Sequence, residues 1–190
     1  MDDGVRPDGI ADSEDLSAAS DHQNDHSFGG EHLGEIVDQL LDHVETHGLI
    51  DELKIYDHGG PVYVPAPLPP GPLPPVIPPG TSETQQQFGD VYLRPEDFGD
   101  LEDLLADDAV VILMGCGVGD SPDYVQGVAD VLGCDVVACT GIVRCGVAGP
   151  WWPAEDEWIL RPPTSESAEH TLSELGLIPP QLPDLGDDDE

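Results

Sequence analysis

Val110-Val111-Ile112-Leu113-Met114-Gly115-Cys116-Gly117-Val118-Gly119 is a run of apolar, largely β-branched residues that delivers a cysteine into a tight glycine turn. An amphipathic helical pattern begins just beyond it, from Ser121. A short apolar run ending in glycine reads as a strand buried on both faces of a parallel sheet, and the carboxyl ends of such strands carry the chemistry of α/β proteins. Leu53-Lys54-Ile55-Tyr56-Asp57-His58-Gly59-Gly60 has the same form but ends in a histidine. If the two strands are neighbours, thiol and imidazole meet at one edge of the sheet.

The surrounding segments extend this pattern. Leu33, Ile36, Val37, Leu40, Leu41 and Val44 form one apolar stripe at helical spacing, predicting a helix from Glu31 to a cap near Gly48. Gly59-Gly60-Pro61 is expected to stop the histidine strand, with Val62-Tyr63-Val64 as a short edge strand. Pro65 to Gly80 is too rich in proline for anything but polyproline-like chain, and Thr81 to Gln87 reads as its continuation. Val91-Tyr92-Leu93 reads as a short strand. A helix with proline at its start is expected from Pro95 to about Ala106, turning Phe98, Leu101, Leu104 and Leu105 to the core. A helix over Pro122 to Leu132, a buried strand over Asp135 to Cys139 and a further strand over Gly141 to Val147 follow the cysteine run.

Strands alternating with helices define an α/β class, a mostly parallel sheet flanked by helices on both faces. Residues 1–30, acidic and poor in large apolar groups, are expected to be a disordered tail. The α/β domain then runs over 31–162, with a proline-rich insertion at about 61–87, and an acidic, proline-containing tail fills 163–190. That tail is expected to lie over the surface or be disordered, apart from a turn of helix around Leu172 to Leu175.

A net charge of −35, from 40 acidic and 5 basic residues, excludes whole classes of partner. Nucleic acid and anionic membrane would both be repelled. Adaptation to a salt-rich cytoplasm is the simplest reading, since screening removes the self-repulsion; an acidic protein of an ordinary cell is the other. Met1-Asp2-Asp3-Gly4 has neither the basic nor the apolar region of a secretory signal, and no segment has the apolar length of a membrane span, so a cytoplasmic location is expected. There the cysteines Cys116, Cys134, Cys139 and Cys145 are expected as thiols rather than disulfides. They lack the CxxC pairing of structural zinc sites. His22 and His26 read as solvated tail residues, and His43 and His47, one helical turn apart, as surface helix residues. No metal and no cofactor is therefore expected. Gly115-x-Gly117-x-Gly119 fits neither nucleotide-binding glycine pattern.

Cysteine becomes nucleophilic where its thiolate is favoured, by a nearby imidazole or by a helix N-terminus. Cys116 has the helix opening at Pro122 just beyond its turn, and His58 supplies the imidazole if the strands are adjacent. Backbone N–H groups of Gly59, Gly115 and Gly117 are candidate donors to the oxyanion formed when a carbonyl is attacked. Asp57, Asp120 and Asp123 flank the site and suit a pocket for a basic substrate side chain. The bland reading makes Cys116 an inert core thiol and His58 a structural histidine; their shared position before or within glycine turns favours the dyad.

Apolar strand-His58-Gly59 followed by apolar strand-Gly115-Cys116 resembles the caspase-like cysteine peptidases, the clan of caspases, clostripain, gingipains and separase. Glu31 to about Val147 follows the order helix, His strand, helix, Cys strand, helix, strand. The resemblance implies a caspase-type sheet, His58 as general base or acid, Cys116 as nucleophile, and the Gly59 and Cys116 amides at the oxyanion. It also implies a strand ahead of the opening helix, which is not evident in the sequence unless the acidic N-terminal region supplies it. The basic surface that some bacterial relatives use to bind inositol phosphates is absent. The function expected is an intracellular cysteine endopeptidase acting on a peptide or protein substrate. The alternative is a non-catalytic module of the same fold, binding a protein partner through Trp151, Trp152 and Trp158 or through the proline-rich loop.

Overall fold

A computed structural model describes residues 8–12, 26–64, 80–141, 158–175 and 177. In chain order the elements are β1 (Asp8–Asp12), β2 (Ser27–Gly30), α1 (Leu33–His47), β3 (Ile50–Tyr56), β4 (Gly59–Val64), β5 (Thr81–Phe88) and β6 (Val91–Tyr92). A 3₁₀ helix (Pro95–Leu104), β7 (Leu105–Leu113), a 3₁₀ turn (Val118–Asp120), α2 (Pro122–Leu132), β8 (Asp135–Cys139) and β9 (Trp158–Arg161) complete them. Six strands form one sheet in the order β2-β1-β3-β7-β8-β9. Its first five strands pair in parallel and β9 runs antiparallel to β8. The hairpin strands β4, β5 and β6 form a separate antiparallel sheet.

Alternation of side chains along the central strands sorts the core onto two faces. Ala109, Val111 and Leu113 of β7, with Leu53, Ile55, Val136 and Ala138, point to the face covered by α1, α2 and the 3₁₀ helix. Val110, Ile112 and Met114, with Tyr56, Val137, Cys139 and Trp158, point to the other. All the described helices lie on the first face, which corrects the expectation of helices on both. The second face is covered by the C-terminal segment, whose Leu172, Leu175 and buried Leu177 pack on it. A turn closed by the Leu177 N–H donating to the Leu172 carbonyl at 2.9 Å presents them.

Helix α1 buries Ile36 and Leu40 and ends where Gly48 adopts φ 98°. Helix α2 starts with Pro122 and ends at Gly133, φ 67°, whose N–H caps the Ala129 carbonyl. The segment from Pro95 is 3₁₀ rather than α-helical, in keeping with its buried Phe98, Leu101 and Leu104. Three-residue spacing stacks such side chains on one side of a three-residue turn.

Three further expectations are corrected. The N-terminal stretch is not wholly a disordered tail: β1 and β2 join the sheet, and β1, lying beside β3, is the strand ahead of the opening helix. Asp8–Asp12, held between β2 and β3, and the edge strand Ser27–Gly30 are short and carry few large apolar residues, so they join the sheet through their backbone ladders and leave little apolar signal to read. Thr81 to Phe88 is a strand, not loop, and Gly59-Gly60-Pro61 opens β4 instead of ending the extended chain. The expected strand at Gly141–Val147, the proline-rich stretch, His22, Cys145, Trp151 and Trp152 fall outside the described residues, apart from Gly80 and Gly141. Trp158 is 8% exposed within the second core cluster, so it is a packing residue rather than an exposed anchor. Among the described residues no helix is long and apolar enough to cross a membrane.

Candidate active site

Register decides whether the two strand ends meet. Ile55 of β3 lies opposite Leu113 of β7 in a parallel pair. Met114 N–H donates to the Ile55 carbonyl at 2.9 Å, carrying the ladder past the end of β7. His58 and Cys116 stand the same number of residues beyond that pair, so both leave the sheet at its carboxyl edge, side by side. The strand order reverses between β1 and β3, so the β3–β7 pair that carries His58 and Cys116 lies one strand beyond the topological switch point.

Glycine on each side lets the backbones touch. A Cβ on Gly59 would overlap the Cys116 carbonyl oxygen and sit 2.9 Å from the Cys116 amide nitrogen. A Cβ on Gly115 would lie 3.0 Å from the His58 carbonyl oxygen and 2.6 Å from Gln86 Oε1. The His58-Gly59 and Gly115-Cys116 pairs therefore face each other across a contact that admits no side chain. His58 is exposed and Cys116 half-buried at the rim of the second core cluster.

Two buried polar side chains hold this contact. Gln86, on β5 and fully buried, accepts the Gly115 N–H at Oε1 (2.9 Å). Its Nε2 donates to the Gln87 carbonyl at 3.0 Å and, at 3.5 Å, to that of His58. Asp57 accepts the His58 N–H at one carboxylate oxygen (2.5 Å) and the Gly89 N–H at the other (2.6 Å). Buried and occupied in this way, Asp57 braces the turn; it is not the substrate-facing acid expected of it.

Of the expected oxyanion donors, Gly115 N–H is engaged by Gln86, and Gly117 N–H, at φ 68°, donates to the Gly141 carbonyl at 2.7 Å. Both are thus occupied in this arrangement. Gly59 differs. Gln87 N–H donates to the His58 carbonyl, and hydrogen-bonded and non-bonded pairs alternate along an antiparallel ladder. The Gly59–Gln86 pair is then the non-bonded one, which turns the Gly59 N–H away from β5.

Asp120 and Asp123 are exposed and line a cleft beside the cysteine loop, with Glu83, Ser121 and Tyr124 among its other walls. A Cβ on Gly117 would be 3.3 Å from Asp120 Oδ2, so this cleft adjoins the residue after Cys116. Glu83, missed by the sequence reading, replaces Asp57 as the third carboxylate. Gln86 was missed with it. The available signal was Gly89-Asp90 between Phe88 and Val91, a two-residue hairpin turn with Gly89 at φ 57°.

The other described thiols are core groups. Burial, with the Asp135 charge beside it, pushes the Cys134 thiol up to about 12. Cys139 is 1% exposed and its Sγ accepts the Gly141 N–H at 3.3 Å. Tyr124 is held above the usual phenol range by burial; its hydroxyl donates to the Leu93 carbonyl and accepts the Gln86 N–H. No protein-family model, curated protein or solved structure matches this chain.

Proposed function

We propose that the chain is a caspase-like cysteine endopeptidase with Cys116 as nucleophile and His58 as general acid and base. The observation that carries this reading is the shared register of His58 and Cys116 at the carboxyl edge of two paired parallel strands, with Gly59 packed on the Cys116 backbone. The element order of that clan, with β1 ahead of the opening helix, supports it. In the first half-reaction the Cys116 thiolate attacks the scissile carbonyl carbon, and the new C–S bond puts negative charge on oxygen, toward which Gly59 N–H is a candidate donor. Collapse breaks the C–N bond, and His58 gives the leaving amine its proton. Water, deprotonated by His58, then attacks the thioester and releases the carboxylic acid, restoring the thiol.

The carboxylates of Glu83, Asp120 and Asp123 favour a basic side chain at the residue before the scissile bond. The test is cleavage of matched peptides with arginine or glutamate at that position, in concentrated salt. Arginine peptides are expected to be cut, with activity lost in Cys116→Ala. Preference for glutamate would remove the specificity, and undiminished cleavage by Cys116→Ala would remove the enzyme. The same reading treats the net charge of −35 as adaptation to a salt-rich cytoplasm.

A further inference from the structure

His26, His43 and His47 converge at the opposite end of the sheet from His58 and Cys116. His43 and His47 lie one turn apart near the end of α1, and His26 directly precedes β2. Their ring centroids form a small triangle of 4.4, 4.7 and 4.6 Å. One ring nitrogen from each lies within 4.8 Å of the others. The scaffold around them is fixed: Gln39 Nε2 donates to the Gly29 carbonyl at 3.0 Å, tying β2 to α1, and Phe28 packs edge-on to His43 at 5.3 Å.

Three neutral imidazoles form a donor set for a borderline divalent ion. A tetrahedral zinc ion holds each nitrogen at about 2.0–2.1 Å. This requires nitrogens somewhat over 3 Å apart, which the half-buried and exposed rings reach by small side-chain rotations. Position adds to affinity. The carboxyl end of α1 carries the partial negative charge of the helix, and the whole chain is strongly anionic.

We propose that His26, His43 and His47 bind one divalent transition-metal ion of the zinc class, leaving its fourth position to water or an exogenous ligand. The ion fastens β2, and through its ladder β1, to the end of α1. His26 comes from a segment whose composition reads as disordered, so a clasp here acts where the fold has least apolar support. The site is independent of the peptidase reading.

The experiment titrates the full chain with zinc in concentrated KCl and excess Mg²⁺, which occupy the abundant carboxylates, while the histidine ring resonances are followed. One zinc per chain is expected, with the His26, His43 and His47 rings shifting together. His26→Gln and the surface substitution His47→Gln should each weaken binding about tenfold or more, whereas His32→Gln should leave it unchanged. Absence of stoichiometric zinc, or equal affinity in a His43→Gln/His47→Gln chain, would overturn the proposal. His47 is exposed and outside the core, so its replacement leaves the fold intact for the comparison.

Discussion

Gln86 is the residue on which the approach of the two loops most depends. Its amide holds the Gly115 N–H of the cysteine loop, the His58 carbonyl of the histidine loop and the Gln87 carbonyl of its own strand. Replacing it by alanine strands a buried N–H, at a cost of about 1–3 kcal/mol. A loss of about 2 kcal/mol lowers the melting temperature by about 4–8 °C in a chain of this size. A thermal melt of Gln86→Ala checks this; an unchanged midpoint would mean that the bridge carries no load. His58 and Cys116 were legible in the sequence because each ends an apolar run, and adjacency of the runs was the one inference needed. Asp57 was misread because it sits one residue from His58 in sequence while its carboxylate turns inward to two amides. Proximity along the chain says nothing of that direction.

The sequence showed those elements whose side chains choose between core and water. Helices α1 and α2 and strands β3, β7 and β8 bury apolar faces, and all lie close to the expected ranges. Strands β1, β2 and β5 are mostly polar or glycine in sequence, with a single large apolar residue each in Ile10, Phe28 and Phe88, so composition spoke for tail or loop. The C-terminal segment lies between these cases, docked by leucines and by carboxylates. Asp130 accepts the Thr164 N–H at 2.6 Å and its hydroxyl at 2.9 Å, which hold the carboxyl below its usual 3.8. The Thr171 hydroxyl and N–H likewise hold Glu174 below 4.5. A carboxyl whose folded-state pKa is depressed contributes stability in full above the ordinary value. That contribution disappears as pH falls through the depressed one. Acidification from about pH 5 to about pH 3 is therefore expected to loosen residues 163–177 while β7 keeps its protection. Amide protection factors for Thr164 and Leu177 measure it, and values that do not move relative to β7 would refute the account.

At the scale of the whole molecule, the two ends of the parallel sheet have separate chemistry. Its carboxyl edge carries the thiol and imidazole with an acidic cleft alongside, and its amino edge carries the three-histidine cluster. Charge was the most legible global property, since 40 carboxylates against 5 basic side chains give a net charge of −35, which opposes the approach of polyanions. The histidine cluster was half legible, in the one-turn spacing of His43 and His47; its third member depends on where β2 lies. The central claim, that Cys116 is activated by His58, is tested most directly by the rate of iodoacetamide alkylation at each cysteine, read by peptide mapping near neutral pH in concentrated salt. Cys116 should be modified far ahead of Cys134, and His58→Ala should slow it about tenfold or more as its thiolate loses the imidazolium partner. Equal rates at Cys116 in the two chains, or a Cys116 as inert as Cys134, would contradict the account.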